Sequence, residues 1–309
     1  MRRAVIASLV LVAIASTAAA AALSGAPAAV HSALALNVVP DPLTPTIAEI
    51  AVNEANTYSD LSLLKSNCNP FLNTALVDAP APCVGGDTTS SKVVVLVGDS
   101  HVGNWLGVLS TVLLSRHEKL NAFAFPSCPT AEVAGYSVNL LRWRDCSTWH
   151  RHLDAVVRSI HPVAIMAVSG PGFLTTYSTS TWAADMAKEF KGMTRGLTGV
   201  QTILIGTTPS LLHHAPACVA AHSASLQKCT YNYRSTKSQY RKLLVRDAAI
   251  VRASKAQYLA TTPWFCESFR CPVVVANTLV YVDADHISSA YAERLAPDLS
   301  AKLTALGLH

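Results

Sequence analysis

A serine stands where a buried strand gives way to a helix. Residues 93–97 form a continuous, mostly β-branched apolar run, typical of a strand buried on both faces, and Gly98 lets the chain turn sharply. The Ser100 hydroxyl is therefore expected at the mouth of a sheet, beside helix N–H groups that stabilise negative charge. This position favours a nucleophile. The alternative is that Asp99 or Ser100 only caps the helix predicted over 102–116.

A second motif, Asp283-Ala284-Asp285-His286-Ile287-Ser288, lies far downstream. A neutral imidazole can take the proton of a serine, and a carboxylate can hold the other ring nitrogen in the right tautomer. Ser100, His286 and Asp283 therefore supply a nucleophile, a base and an orienting acid. Their chemistry would be acyl transfer through a serine ester.

Together, Gly98-Asp99-Ser100 and Asp283-x-x-His286 resemble the motifs of the SGNH, or GDSL-like, hydrolase superfamily. With His101 and Ile287-Ser288 added, they resemble more closely the extracytoplasmic SGNH domain that accompanies membrane acyltransferases of acyltransferase family 3. The resemblance covers roughly residue 92 to the C-terminus, and its two motifs are specific as a pair. We expect a catalytic triad of Ser100, Asp283 and His286 with no cofactor.

The resemblance also implies an oxyanion hole, and here the chain departs from the family pattern. SGNH enzymes usually add a glycine N–H after the second strand and an asparagine side chain after the third. This sequence has Pro126-Ser127-Cys128-Pro129 and Ser169-Gly170-Pro171-Gly172 at those places. Besides the Ser100 N–H, the N–H of Gly170 or Gly172 or the Ser169 hydroxyl is therefore expected to donate, unless the two glycines only shape a turn.

Other polar residues near the motifs receive supporting roles. Gly98, His101 and Asn104 are assigned to the surroundings of the oxyanion or substrate. His101 is expected to be structural or to face the substrate, and Asn104 to cap the first turn rather than line the site. Asp99 is expected to organise its turn through backbone N–H groups, and Asp285 to cap the final helix.

The elements that must position these groups alternate along the chain. Strands are predicted over 93–97, 122–125, 163–168 and 201–206 and near Tyr258, and helices over 102–116, 147–160, 182–195, 236–254 and 288–306. This alternation predicts a three-layer α/β/α sandwich, flavodoxin-like, around a mostly parallel sheet of about five strands. Sites in such sheets lie at the carboxyl ends of the strands, where Ser100 is placed.

The first residues predict export. Met1-Arg2-Arg3 precedes an apolar run to about Leu23 with small residues suited to cleavage, so residues 1–23 are expected to be a signal peptide or an uncleaved membrane anchor. We divide the rest into a linker and helical extension over 24–84 and an SGNH-like catalytic domain over 85–309. The expected location is extracytoplasmic or secreted, with membrane association through the N-terminal segment.

The eight cysteines of an exported chain predict disulfides. Eight cysteines allow 105 connectivities, so the sequence alone leaves the pairing open. The spacing suggests neighbours, a pattern that also resembles the SGNH domains: Cys68 with Cys83, Cys128 with Cys146, Cys218 with Cys229, and Cys266 with Cys271. His213, His214 and His222 beside Cys218 and Cys229 fit no common structural zinc site, so no metal is expected.

Composition and the resemblance together define the expected function. The 309 residues carry a net charge of +5, two units of which come from Arg2 and Arg3, and this argues against nucleic-acid binding. The resemblance implies an O-acyltransferase that acetylates a cell-envelope carbohydrate or glycolipid, with an acylated donor and a separate family 3 membrane acyltransferase as partner. A stand-alone carbohydrate or lipid acetylesterase and a non-catalytic carbohydrate-binding or accessory module are the alternatives. The tryptophans near Cys146, including Trp149, could stack on a sugar or pack in the core.

Overall fold

The computed structural model describes residues 25–46, 48–49, 65, 67–132, 140–170, 178–235 and 237–308. The predicted leader and, within the linker and helical extension predicted over 24–84, residues 24, 47, 50–64 and 66 lie outside the described residues. Within the described part of the chain, no helix combines the length and the apolar character needed to cross a membrane.

In the described part of the chain, ten strands form one large sheet and two small ones. They are β1 (Cys83–Gly86), β2 (Val93–Gly98), β3 (Lys119–Ala124), β4 (Ala164–Val168), β5 (Gln201–Ile205), β6 (Tyr231–Asn232), β7 (Gln257–Leu259), β8 (Arg270–Cys271), β9 (Val274–Val275) and β10 (Thr278–Leu279). The central sheet has the order β1-β3-β2-β4-β5-β7, while β6 pairs with β8 and β9 with β10. The five predicted strands of the parallel sheet are confirmed, and β1 adds an antiparallel edge.

Helices cover both faces of the central sheet. They are α1 (Gly25–Ala33), α2 (Ala75–Asp78), α3 (Val102–Ser115), α4 (Leu140–Ile160), α5 (Thr179–Thr194), α6 (Ala215–Ala221), α7 (Gln239–Ser254), α8 (Thr262–Phe265), α9 (Ser289–Arg294) and α10 (Ala296–Ala305). Because side chains alternate along a strand, Val94 and Leu96 of β2 join the core beneath α3, α9 and α10. Val95 and Val97 join the opposite core beneath α4 and α5. The predicted three-layer sandwich is therefore confirmed.

Two elements differ from the sequence prediction for physical reasons. The single final helix expected over 288–306 is two helices, and α10 begins with Pro297 in its first turn. Proline lacks an N–H and suits the start of a helix better than its interior, so the chain restarts there. Strand β1 escaped prediction because its sequence, Cys-Val-Gly-Gly, has weak strand propensity and is stabilised by pairing with β3.

All four disulfides suggested by the cysteine spacing are present, and no described cysteine is free. Cys128 lies just beyond β3 and is linked to Cys146 in α4. Cys266 and Cys271 close a much shorter loop between α8 and β8. The Cys128–Cys146 disulfide therefore fixes a loop beside the sheet, whereas the Cys68–Cys83 and Cys266–Cys271 disulfides attach to β1 and β8 themselves.

We expect removal of the Cys128–Cys146 disulfide to destabilise the fold more than removal of Cys266–Cys271. Sequence separations of 18 and 5 residues give about 3 and about 2 kcal/mol on the chain-entropy model. Urea unfolding of Cys128→Ala/Cys146→Ala and of Cys266→Ala/Cys271→Ala, against the parent chain, measures both. Equal free energies of unfolding for the first variant and the parent would contradict the prediction.

Candidate active site

Ser100 lies at the carboxyl edge of the sheet, between β2 and α3. The two strands β2 and β4 approach closely at Gly98, where a Cβ atom would stand 2.2 Å from the Val168 carbonyl oxygen. Beyond Gly98 the chain turns, with the Gly103 N–H donating to the Ser100 carbonyl at 3.0 Å. The predicted strand–turn–helix at Ser100 is therefore present, and Gly98 serves strand packing at that turn.

The structure brings the three residues of the predicted triad together. Ser100 Oγ lies 2.8 Å from Nε2 of His286, and Nδ1 of the same ring lies 2.7 Å from Oδ2 of Asp283. The other carboxylate oxygen of Asp283 accepts the N–H groups of Asp285 at 2.8 Å and His286 at 2.7 Å. One carboxylate thus orients the imidazole and holds the backbone of its own loop.

The Asp283–His286 loop is supported from both sides. Its two ends are joined by the Val282 N–H, which donates to the His286 carbonyl at 3.0 Å. The segment after β5 supplies further donors, with the Leu211 N–H bound to the Ala284 carbonyl at 2.7 Å. The Ala215 N–H binds the Asp283 carbonyl at 3.1 Å. The loop is thereby tied to the neighbouring carboxyl end of the sheet.

Asp285 has a different position from the one predicted. Its Oδ1 lies 3.2 Å from Nδ1 of His286, so it is a second carboxylate beside the imidazole. The predicted cap on the final helix is wrong, since Ser288 caps α9 by accepting the Tyr291 N–H at 3.1 Å. Ser288 is the residue directly before the helix, whereas Asp285 is held back in the loop by its own N–H bond to Asp283.

The two carboxylates determine the charge of the imidazole. Burial by itself lowers the pKa of His286, but the hydrogen bonds and negative charges of Asp283 and Asp285 outweigh burial and raise that pKa well above its usual range. Burial raises the pKa of Asp283, yet the bonds and positive charge of His286 lower it below its ordinary value. The two carboxylates therefore favour the protonated imidazole, and His286 acts as a base in its neutral form.

A second aspartate–histidine pair, Asp99 with His101, lies directly against the first. Nδ1 of His101 is 3.0 Å from Oδ1 of Asp99, and the His101 ring stacks on the His286 ring with centroids 4.3 Å apart. Burial raises the pKa of Asp99, but the charge of His101 and the bonds from His101 and Gly170 lower it overall. His101 is buried, and its Nε2 has no hydrogen-bond partner among the described residues.

The predicted oxyanion donors at the end of β4 are engaged elsewhere. The Gly170 N–H donates to Oδ2 of Asp99 at 2.7 Å, and the Ser169 hydroxyl donates to Thr130 Oγ1 at 2.5 Å. Neither group is free to donate to an oxyanion in this arrangement. Gly170 instead makes room for His101, because a Cβ atom at this residue would lie 2.3 Å from the imidazole Cε1.

Asn104, another residue of the predicted site, does not have the role that was expected of it. The buried side-chain amide of Asn104 forms no hydrogen bond with the described residues, so the cap expected of it is absent. Asn104 sits inside α3, where its own N–H already reaches the His101 carbonyl. The zinc alternative fails for Cys218 and Cys229, since both sulfurs are in a disulfide.

The loop after β3 holds residues that the sequence did not single out. Ser127 adopts φ 63°, a left-handed conformation that favours glycine, in the place where the family pattern has a glycine. Its exposed backbone N–H and that of Ser100 donate no hydrogen bond within the described residues. The only sequence feature that indicates an unusual backbone here is the short stretch between two prolines, Pro126-Ser127-Cys128-Pro129.

A buried histidine that the sequence pattern did not indicate holds this loop at Pro129. His150 of α4 places Nε2 2.9 Å from the Pro129 carbonyl and Nδ1 2.9 Å from Glu189 Oε1. Burial lowers the pKa of His150, but the Glu189 charge and these bonds raise it overall. Trp149 is also buried, against Phe125, so it packs in the core and offers no face to a sugar.

Comparisons with known proteins identify the family and the fold. The family model described as "SGNH domain (fused to AT3 domains)" matches residues 67–301. Among solved structures, the periplasmic domain of a lipopolysaccharide acetyltransferase from Salmonella ser. Paratyphi A superposes with a TM-score of 0.63 at 14% identity, covering 82% of this chain and 97% of that domain. A carbohydrate acetylesterase from Sinorhizobium meliloti gives a TM-score of 0.44 at 12% identity, covering 70% and 99%. No curated protein matches the chain in sequence.

We expect Asp285→Asn to move the acidic limb of the pH profile to lower pH. The Asp285 carboxylate raises the pKa of His286, so its removal frees the base at lower pH, by about one unit for a charge this close. Measurement of kcat/KM against pH for ester cleavage tests this, with Asp283→Asn as the control. The control should lose about 10⁴-fold in kcat because the tautomer is no longer held. An unmoved limb in Asp285→Asn would contradict the assigned contact.

We expect Gly170→Ala to lower activity through His101. The added methyl group displaces the imidazole from its stack on His286, and the lost stacking corresponds to a decrease in kcat/KM of about tenfold. Because both changes act on one ring, Gly170→Ala/His101→Ala should lose no more than His101→Ala alone. Additive losses in this double-mutant cycle would show that Gly170 acts independently of the stack.

Proposed function

Because the chain belongs to the family of SGNH domains that occur fused to AT3 domains, we propose that it is an exported, serine-dependent O-acyltransferase. The proposed reaction moves an acetyl group onto a cell-envelope carbohydrate or glycolipid. The observation that carries this proposal is the continuous hydrogen-bonded chain from Ser100 through His286 to Asp283, with contacts of 2.8 and 2.7 Å.

In the first step His286, once deprotonated, takes the Ser100 proton while Oγ attacks the acyl carbonyl carbon. Asp283 holds the ring and stabilises the imidazolium that forms. The tetrahedral intermediate collapses when His286 returns the proton to the departing group of the donor, which leaves an acyl ester on Ser100. In the second step His286 deprotonates a sugar hydroxyl, which attacks this ester and regenerates the free serine.

The oxyanion requires donors other than those first expected. The Ser100 N–H lies at the start of the turn into α3, where helix N–H groups stabilise negative charge. We assign the second donor to the N–H of Ser127, whose φ of 63° reproduces the backbone conformation of a glycine after β3. His150 and Glu189 hold the Pro129 end of that loop. This assignment leaves Gly170 bound to Asp99.

The donor and location follow from the family and the cysteines. The family description names fusion to AT3 domains, and the structurally similar Salmonella domain is described as periplasmic and as part of a lipopolysaccharide acetyltransferase. We therefore propose an extracytoplasmic location, to which the four disulfides are suited, and a family 3 membrane acyltransferase as a separate partner. The expected leader over 1–23, extension over 24–84 and catalytic domain over 85–309 are part of this proposal.

We expect the exported chain to release acetate from a chromogenic acetyl ester and, with an envelope polysaccharide present, to transfer the acetyl group to sugar. Ser100→Ala should reduce both by about 10⁴-fold or more, because the covalent route is lost. The measurements are chromophore release and mass spectrometry of the polysaccharide. Acetate release without sugar acetylation would assign the chain as an esterase. Activity that survives in folded Ser100→Ala would exclude serine catalysis.

A further inference from the structure

One stretch of the chain is free of acidic residues but rich in basic ones. No aspartate or glutamate occurs between Glu189 and Asp247. The second half of this stretch carries Lys228, Arg234, Lys237, Arg241 and Lys242. All of them are exposed except Arg241, which is half-buried. A surface with this excess of positive charge attracts anionic partners.

A rigid hairpin lies against these basic residues. The disulfide between Cys266 and Cys271 closes it, and Glu267 and Arg270 exchange backbone hydrogen bonds of 2.9 and 2.8 Å across it. Phe269 at its tip has φ 68° and is 38% exposed. A positive φ is unusual for a bulky aromatic residue, and such strain persists where the surroundings hold it and function uses it.

Two arginines flank the exposed ring. The guanidinium carbons of Arg234 and Arg241 lie 5.9 and 5.8 Å from the centroid of Phe269. The Tyr233 N–H donates to the Phe269 carbonyl at 3.0 Å, which fixes the hairpin to this segment. Neither arginine forms an ion pair with a carboxylate in the described part of the chain. We call Arg234, Lys237, Arg241, Lys242 and Phe269 the basic–aromatic patch.

The N-terminal helix connects this patch with the apolar start of the chain. Helix α1 begins at Gly25, directly after the apolar run that ends near Leu23. Two turns into α1, Nδ1 of His31 lies 2.8 Å from Oε2 of Glu267, at the base of the hairpin. A helix rises 1.5 Å per residue, so the six residues from Gly25 to His31 place the start of α1 within about 10 Å of that contact along the helix.

We propose that the basic–aromatic patch docks the protein on the anionic phospholipid headgroups of the membrane to which its apolar N-terminal run directs it. Lysine and arginine near an anionic bilayer are each attracted to its surface, and aromatic rings favour the headgroup region. Arg234, Arg241 and Phe269 bring both types of group into contact. The hairpin that carries Phe269 also contacts α1 through the bond between His31 and Glu267, and α1 follows the apolar run in the sequence.

A cavity has lining residues that bind the catalytic loop. The cavity measures about 320 Å³. Its lining includes Leu211, Leu212, His213, Lys228, Tyr231 and Asn232. Asn232 is two residues from Arg234, and Leu211 holds the Ala284 carbonyl in the loop of His286. One side of the cavity is therefore close in sequence to the patch, and another is bonded to the catalytic loop.

Hydrogen–deuterium exchange measured by mass spectrometry tests this docking. The sample is the exported chain with the N-terminus that it carries after export. Exchange is compared in phosphatidylcholine vesicles and in vesicles that also contain phosphatidylglycerol. We expect slower exchange of peptides covering 233–242 and 267–270 with the anionic vesicles only, lost at high salt because the attraction is screened. Absent protection, or equal protection by both vesicles, overturns the proposal even if the N-terminal run inserts.

Variants separate the patch from general charge. Arg234→Gln/Arg241→Gln and Phe269→Ala should each lose the lipid-dependent protection of these peptides. The control variant, Lys191→Gln/Arg195→Gln, removes the same charge from exposed residues at the end of α5. It should retain the lipid-dependent protection of these peptides. An equal loss of protection in the control variant would overturn the proposal that this patch is the docking surface. A soluble acidic polysaccharide that protects the peptides as well as the anionic vesicles do would also overturn the proposal, in favour of a glycan partner.

Discussion

The carboxylate of Asp283 is the group on which the arrangement at the sheet edge depends. One oxygen binds the His286 ring, while the other accepts two N–H groups of the loop that carries the ring. The imidazole cannot be oriented without the loop being folded, because the same side chain does both. The pairing also explains the directions of the pKa shifts: three donors lower the pKa of the buried Asp283 carboxylate, and that carboxylate raises the pKa of the neighbouring imidazole.

Asp99 repeats this device on the other side of the nucleophile. It binds His101 through ring and backbone and receives the Gly170 N–H from the end of β4. The turn that carries Ser100 is thus tied to the neighbouring strand, and His101 is held flat against His286. Because the Gly170 N–H donates to Asp99, it does not donate to an oxyanion. The loop after β3 lies at the carboxyl end of the strand next to β2, and its backbone at Ser127 is suited to donate to an oxyanion. The buried pair of His150 and Glu189 holds this loop.

Much of the fold was predictable because its signals are local. The continuous apolar run of β2 and the alternation of strands with amphipathic helices require a parallel sheet covered on both faces. The even number of cysteines in a chain predicted to be exported indicated disulfides, and close spacing made neighbour pairing the simplest pattern. Strand β1 was not predictable, because two of its four residues are glycine and it depends on its partner strand.

By itself, the sequence determined the residue types at the site and the order in which they occur. Ser100 after a buried strand and His286 three residues after Asp283 are local patterns, and a parallel sheet brings strand ends to one edge. Only the tertiary structure decided which donors are engaged. Whether Gly170 binds Asp99, or Asp285 approaches His286 rather than capping a helix, depends on atoms separated by long stretches of chain or by the path of one loop. Such contacts follow from packing, which no local pattern of residues specifies.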